Sequence, residues 1–315
     1  MVAKKAGVTM GQTRSFLTAA GVILAVVLAG AALALSKWGA AVLVGDEVLH
    51  TSESRYQNIY VTREGDVVTL RAGSLLARSS AMDWSDPYRH VIEYTEMMMV
   101  GTGYVDDPQS ALVVGLGGGT VTKYLRRYFP EMRIVSVEFD EEIVPLAEQY
   151  FDFVPDQGME IVVMDGRRYL AKTREKFDLI FLDAFHGDYI PFHLMTREFL
   201  QMVQEHLTPQ GVVVSNTWSS QKLSRRESAT YAEVFGHFDS YMGRHSANRI
   251  IVAKKNGGRM DRDTLHAALA AAQERIGYQE INLPLLFQRH YRQDEGPFDE
   301  PLVDDFAPVN LLIGE

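Results

Sequence analysis

Ala111-Leu112-Val113-Val114-Gly115-Leu116-Gly117-Gly118-Gly119-Thr120 is the stretch from which the fold can be read. Its first four residues form a short apolar run, the mark of a buried strand. The glycines follow at once, and Val121 to Tyr128 then reads as a helix. A strand passing through glycines into a helix lets backbone N–H groups approach a ligand closely. Three further apolar runs repeat the pattern. Ile134 to Val137 ends in Glu138, Ile161 to Met164 ends in Asp165-Gly166, and Leu179 to Leu182 ends in Asp183. Carboxyl ends of parallel strands are where doubly wound sheets bind ligands, and an acid closing the second strand is where a ribose hydroxyl pair is held.

The glycine spacing separates two ligand classes. A dinucleotide loop needs glycines at positions one, three and six. Here they stand at one, three, four and five, with Thr120 at six. This fits the nucleoside loop of methyltransferase-like folds better than an NAD loop. The predicted fold is therefore α/β, a Rossmann-like doubly wound sheet holding an adenosyl ligand. Gly115, Gly117 and Gly119 would lie along it, Glu138 would hold its ribose, and Asp165-Gly166 its adenine end.

Around this core the strand–helix alternation continues to Asn216, with strands predicted at 160–164, 177–183 and 211–216. An antiparallel pair at 240–244 and 249–254 closes the sheet. Upstream, Asn58 to Thr62 and Val67 to Leu70 flank Arg63-Glu64-Gly65-Asp66 as a hairpin. Ser85 to Val100 reads as one helix, capped by Asp83 or Ser85. Met97-Met98-Met99 reads as core packing. The expected segments are 1–40, a tail and membrane anchor; 41–108, a small β-domain with a connecting helix; 109–258, the adenosyl-binding domain; and 259–315, a C-terminal helix and tail.

These residues together resemble the spermidine synthase (polyamine aminopropyltransferase) family, in particular its bacterial membrane-associated branch. The resemblance runs from about Glu53 to Lys254. It rests on Val113 to Thr120, Val137-Glu138-Phe139-Asp140, Asp165-Gly166-Arg167 and the stretch Asp183 to Pro191. Glu53 to Ile59 and Glu93-Tyr94-Thr95-Glu96 also match short family motifs. The resemblance implies a small β-domain ahead of the nucleotide fold and a decarboxylated S-adenosylmethionine or S-adenosylmethionine co-substrate. It implies an amine acceptor such as putrescine. It places Gln57 on the cofactor, Tyr94 and Glu96 at the amine, Asp183 as proton acceptor and Asp188 as a second substrate carboxylate. A carboxylate is the right group to bind an ammonium, orient it and take its proton. Two family positions differ: Gly118 stands where the family carries an Asp, and Thr95 where it carries a His. Three readings follow: an aminopropyltransferase, a methyltransferase acting on another small acceptor, and a silent membrane-tethered subunit that keeps the fold.

Composition narrows the partners. The chain is 315 residues long, with 46% hydrophobic and 23% charged residues and a net charge of −10. That balance argues against nucleic acid, which needs a basic face, and suits a cationic substrate. No cysteine is present, so disulfides and thiolate sites are excluded. No His/Asp/Glu spacing reads as a metal site, and His186 and His193 read as loop histidines. Phe16 to Leu35 carries no charge over 20 residues, enough for a helix of about 30 Å, the thickness of a bilayer core. A membrane anchor is the expected role, with a cleaved signal peptide or a globular helix as rivals. Lys4, Lys5 and Arg14 precede the run, which sets the amino terminus in the cytoplasm and the soluble part outside. Cofactor supply favours the cytoplasm instead. A homodimer or a membrane-protein partner is compatible with either side.

Overall fold

The strand that leads into the glycine loop is an interior strand of an eight-stranded sheet. The structure, a computed structural model, describes residues 45–185, 189–219, 221–293, 296 and 298–305. The expected anchor at 16–35 and Asp188 lie outside the described residues. Among the described residues no helix is long and apolar enough to cross a membrane.

The chain first forms a four-stranded sheet: β1 (Glu47–Glu53), β2 (Asn58–Glu64), β3 (Val67–Ala72) and β4 (Ser80–Asp83), in that order. Glu64 pairs with Val67, so the β2–β3 hairpin turns through Gly65 and Asp66, with Gly65 at φ +59°. Ile59, Val61, Val68, Leu70 and Met82 are buried on one face of this sheet. They pack against Ile143, Leu146 and Phe151 of the following layer.

The helix expected over Ser85 to Val100 is shorter. α1 covers Glu93–Met98 and continues as a 3₁₀ turn, Met99–Tyr104. The Asp83 carboxylate explains the loss of the first two turns. It accepts from the Ser85 amide at 2.8 Å and the Ser85 hydroxyl at 2.6 Å, and it also binds the Arg89 guanidinium. A side chain that folds back on its own backbone competes with the helix. Met97, Met98 and Met99 are fully buried in the main core.

The main sheet then alternates with helices: β5 (Ser110–Val114), α2 (Thr120–Tyr128), β6 (Arg133–Glu138), α3 (Ile143–Tyr150), β7 (Met159–Val163), α4 (Gly166–Leu170), β8 (Phe177–Leu182), α5 (Arg197–Glu205), β9 (Leu207–Trp218) and α6 (Gln221–Phe235). β10 (Asp239–Met242), β11 (Asn248–Lys254), α7 (Arg262–Ile276), α8 (Leu283–His290) and β12 (Tyr291–Arg292) complete it. The spatial order is β12-β10-β11-β9-β8-β5-β6-β7. β7, β6, β5, β8 and β9 run parallel; β11, β10 and β12 are antiparallel. The sheet is thus mixed, as the antiparallel pair at 240–254 leads one to expect, and α8–β12 adds an edge that had no strand signal. β5 and β8 read as unbroken apolar runs because both faces are covered, one by the Met97–Val100 layer and α7–α8, the other by α5 and α6. Each such Val, Leu, Ile or Phe contributes about 1.5–3 kcal/mol on burial.

Candidate active site

The carboxyl ends of β5, β6 and β8 open into a cavity of about 450 Å³, roofed by residues of the first sheet and by α1. Gly115, Gly117, Glu138, Asp165, Gly166, Asp183, Gln57 and Tyr94 all line it. Eight side chains or glycines chosen from sequence therefore meet in one place.

The glycine loop is shaped by what it touches. Gly115 has φ +97°, and a Cβ there would sit 2.2 Å from the Asp183 carbonyl oxygen. Only glycine permits that approach. Gly166 is demanded by packing, since a Cβ would meet Val114 Cγ1 at 2.3 Å. Gly119 does not line the cavity. It caps α2 in a left-handed conformation with the Phe153 ring against it. Gly118 likewise faces Phe151 and Ser80.

Glu138 is 5% exposed and accepts from the amides of Leu116 (3.0 Å) and Asp140 (3.1 Å). Burial raises its pKa, and these backbone donors oppose the rise. Asp165 caps α4 by accepting from the Arg168 amide at 2.9 Å, and its second oxygen meets His193 Nε2 at 2.8 Å. His193, read as a loop histidine, is thus tied to Asp165. Its hydrogen bond holds the Asp165 carboxyl below the usual range against partial burial. Gln57 is placed by the Ser54 turn, whose hydroxyl accepts from the amides of Tyr56 and Gln57, each at 3.1 Å. Ser54 and Gln57 both donate to Asp140, at 2.7 and 3.4 Å. Among the described residues, the buried Gln57 Oε1 has no hydrogen-bond partner.

Asp183 is half-buried at the cavity floor. Desolvation pushes its carboxyl up to about 7, against hydrogen bonds from Asn216 and Tyr94. Asn216 Nδ2 donates to Asp183 Oδ1 at 2.8 Å, and Asn248 Nδ2 donates to Asn216 Oδ1 at 2.8 Å. The Tyr94 hydroxyl lies within reach of both Asp183 and the Ser79 carbonyl, the latter at 3.0 Å. Phe185 and Trp218 meet edge to face, 5.4 Å between centroids, on the same wall.

Glu96 is not a lining residue. Residues two apart on a helix do not share a face, so with Tyr94 aimed into the cavity Glu96 points away, toward Arg289. Thr95 is buried, donating to the Ile92 carbonyl at 2.8 Å and meeting His90 Nδ1 at 2.8 Å. Asn216, Trp218 and Asn248 also line the cavity, outside the sequence motifs. Asn216 had a usable signal: it closes the apolar run Val212-Val213-Val214 one residue after Ser215, as the acids close theirs. The cavity is a mostly apolar pocket with the Asp183 carboxylate at one end, the general form of a small-molecule site.

Residues 91–243 match the spermine/spermidine synthase domain. The polyamine aminopropyltransferase of Vibrio vulnificus is 35% identical over 277 residues, covering 84% of this chain and 91% of that one. Among solved structures, a probable spermidine synthase from Corynebacterium glutamicum superposes with a TM-score of 0.59 at 20% identity, over 80% of this chain and 98% of that one. Human methyltransferase-like protein 13, in complex with SAH, superposes with a TM-score of 0.54 at 23% identity, over 70% and 100%. The two superpositions bear on the fold: an α/β methyltransferase-like sheet with an N-terminal β-sheet ahead of it.

Proposed function

The chain belongs to the spermine/spermidine synthase (polyamine aminopropyltransferase) family, and on that premise we propose that it transfers an aminopropyl group from decarboxylated S-adenosylmethionine to a diamine such as putrescine. The observation that carries this reading is Asp183: a carboxyl at about 7 on the floor of a nucleoside-sized cavity, beside two aromatic rings. An alkylamine, with a pKa of about 10, must lose a proton before it can attack carbon. A base near neutrality is the most effective partner for that transfer. The nitrogen then bonds to the carbon beside the sulfonium, the C–S bond breaks, and the electron pair leaves on a neutral thioether. The proton rests on Asp183. Phe185 and Trp218 would bind the alkyl chain and face the cationic nitrogen.

The cofactor end has its own supports. Gln57 Oε1 can accept from a ligand hydroxyl. Glu138 takes the ribose hydroxyls in this reading, and Asp165 and Gly166 border the adenine. Glu138 and Asp165 already have partners, so the ligand exchanges hydrogen bonds there. The test is to incubate the protein with decarboxylated S-adenosylmethionine and putrescine and to look for methylthioadenosine and spermidine. S-Adenosylhomocysteine formed from S-adenosylmethionine would make it a methyltransferase. Binding of neither cofactor would overturn the reading. The 16–35 run is proposed as a membrane tether.

A further inference from the structure

Asp183 has a supporting chain of amides that the reaction does not call on directly. Asn216 and Asn248 sit on neighbouring antiparallel strands. In the β9–β11 register Asn248 opposes Trp218 and Ile250 opposes Asn216, so the two asparagines are diagonal neighbours on one face. The direction of their contact matters. Asn248 donates to Asn216 Oδ1, which leaves Asn216 Nδ2 turned toward Asp183. An amide has one acceptor side and one donor side. With Asn248 donating to its oxygen, Asn216 can only donate to Asp183.

Asn248 is itself held from α1. Glu93 accepts from the amides of Arg244 and His245, each at 3.0 Å, and from the Ser246 hydroxyl at 3.1 Å. It therefore clamps the β10–β11 turn immediately before Asn248. The next residue, Tyr94, reaches Asp183 from the other side. One turn of α1 thus fixes both flanks of the proton acceptor.

We propose that Asn248 is a positioning residue, held by the Glu93 clamp, that orients the Asn216 amide so that Asp183 always receives a donor. This rests on the reading of Asp183 as the proton acceptor. Among the described residues the groups facing Asp183 are Tyr94 from α1, Asn216 from β9 and, through its charge, Glu138 from β6. Of these, the hydrogen bonds from Asn216 and Tyr94 favour the ionised form, while burial and Glu138 oppose it. Freeing the Asn216 amide to turn its oxygen toward Asp183 must therefore raise the acid limb of the rate profile.

The experiment is the pH dependence of kcat for the parent, Asn248→Leu, Asn248→Ser and Glu93→Gln, with carboxyl-carbon NMR titration of Asp183 assigned through Asp183→Asn. Asn248→Leu removes the donor at nearly constant size. The acid limb should rise by about one pH unit, so that kcat falls about 5-fold at pH 7 and returns to the parent value near pH 9. Asn248→Ser keeps a donor and should shift less; it also serves if the leucine variant does not fold. Glu93→Gln should shift in the same direction. A loss of kcat equal at every pH, or an unmoved limb, would overturn the proposal, because that is what simple loosening of the fold produces. The NMR titration reads the same shift without turnover. A parent inactive with every amine therefore counts against the aminopropyl reading, while an unmoved Asp183 titration in Asn248→Leu counts against the positioning role.

Discussion

An Asp183→Asn substitution is expected to slow catalysis severely and to stabilise the fold, and both effects follow from losing one buried, ionisable carboxyl. Burial holds the Asp183 carboxyl at about 7, against 3.8 for an ordinary aspartate. Between those values the folded protein keeps a proton that the unfolded chain has released. Stability therefore falls as pH rises from about 4 to about 7, and the whole cost is present above 7. Three pH units correspond to at most about 4 kcal/mol, and solvent reaching a half-buried side chain reduces the expectation to about 2 kcal/mol. Asparagine keeps an oxygen for Asn216 and carries no charge to desolvate. Urea unfolding at pH 4 and pH 8 measures the effect. The variant should be close to the parent at pH 4 and more stable by about 2 kcal/mol at pH 8. Turnover with a diamine should fall by ~10²–10⁴, with adenosyl affinity nearly unchanged. A stability gap that is the same at both pH values, or parent-like turnover, would refute the reasoning.

Other substitutions test other parts of the site. Glu138→Ala should weaken binding of an adenosyl thioether by ~10–100-fold in calorimetry, since it removes a charge-assisted hydrogen bond of about 1.5–3 kcal/mol; unchanged affinity would remove Glu138 from the ribose. Gly115→Ala should lower the thermal midpoint sharply, by more than about 2 kcal/mol of stability, because its Cβ meets the Asp183 carbonyl and its φ is +97°; a parent-like midpoint would mean the loop is free to move. Full-length protein should fractionate with membranes through residues 16–35, and its recovery as intact soluble protein would exclude the tether.

Much of the site could be read in advance because three acids each end an apolar run. That pattern places Glu138, Asp165 and Asp183 at one edge of a parallel sheet whatever the details of the helices. What escaped has physical causes. Asn216 obeys the same positional rule, but an amide has no charge to draw attention to it. Asn248 enters through an antiparallel register, which local periodicity does not reveal. The helix at 85–100 has helical composition, yet the Asp83 side chain diverts its first turns. Glu96 sits within a matching motif, but its distance of two residues from Tyr94 turns it off the cavity. The glycines at 118 and 119 resemble ligand-loop residues in sequence, and their conformations answer instead to the rings of Phe151 and Phe153.

The diagonal contact between β9 and β11 has a consequence for how the protein is made. During synthesis β1 to β4, α1 and then the parallel strands β5 to β8 with Asp183 leave the ribosome before Asn216. Asn216 follows, and Asn248, with the turn that Glu93 clamps, comes later still. At ordinary translation rates of about 5–20 residues per second, Asn248 and the α7–α8 layer that covers β5 and β8 follow Asp183 by seconds, so the carboxylate is held from both sides only once the chain is nearly complete.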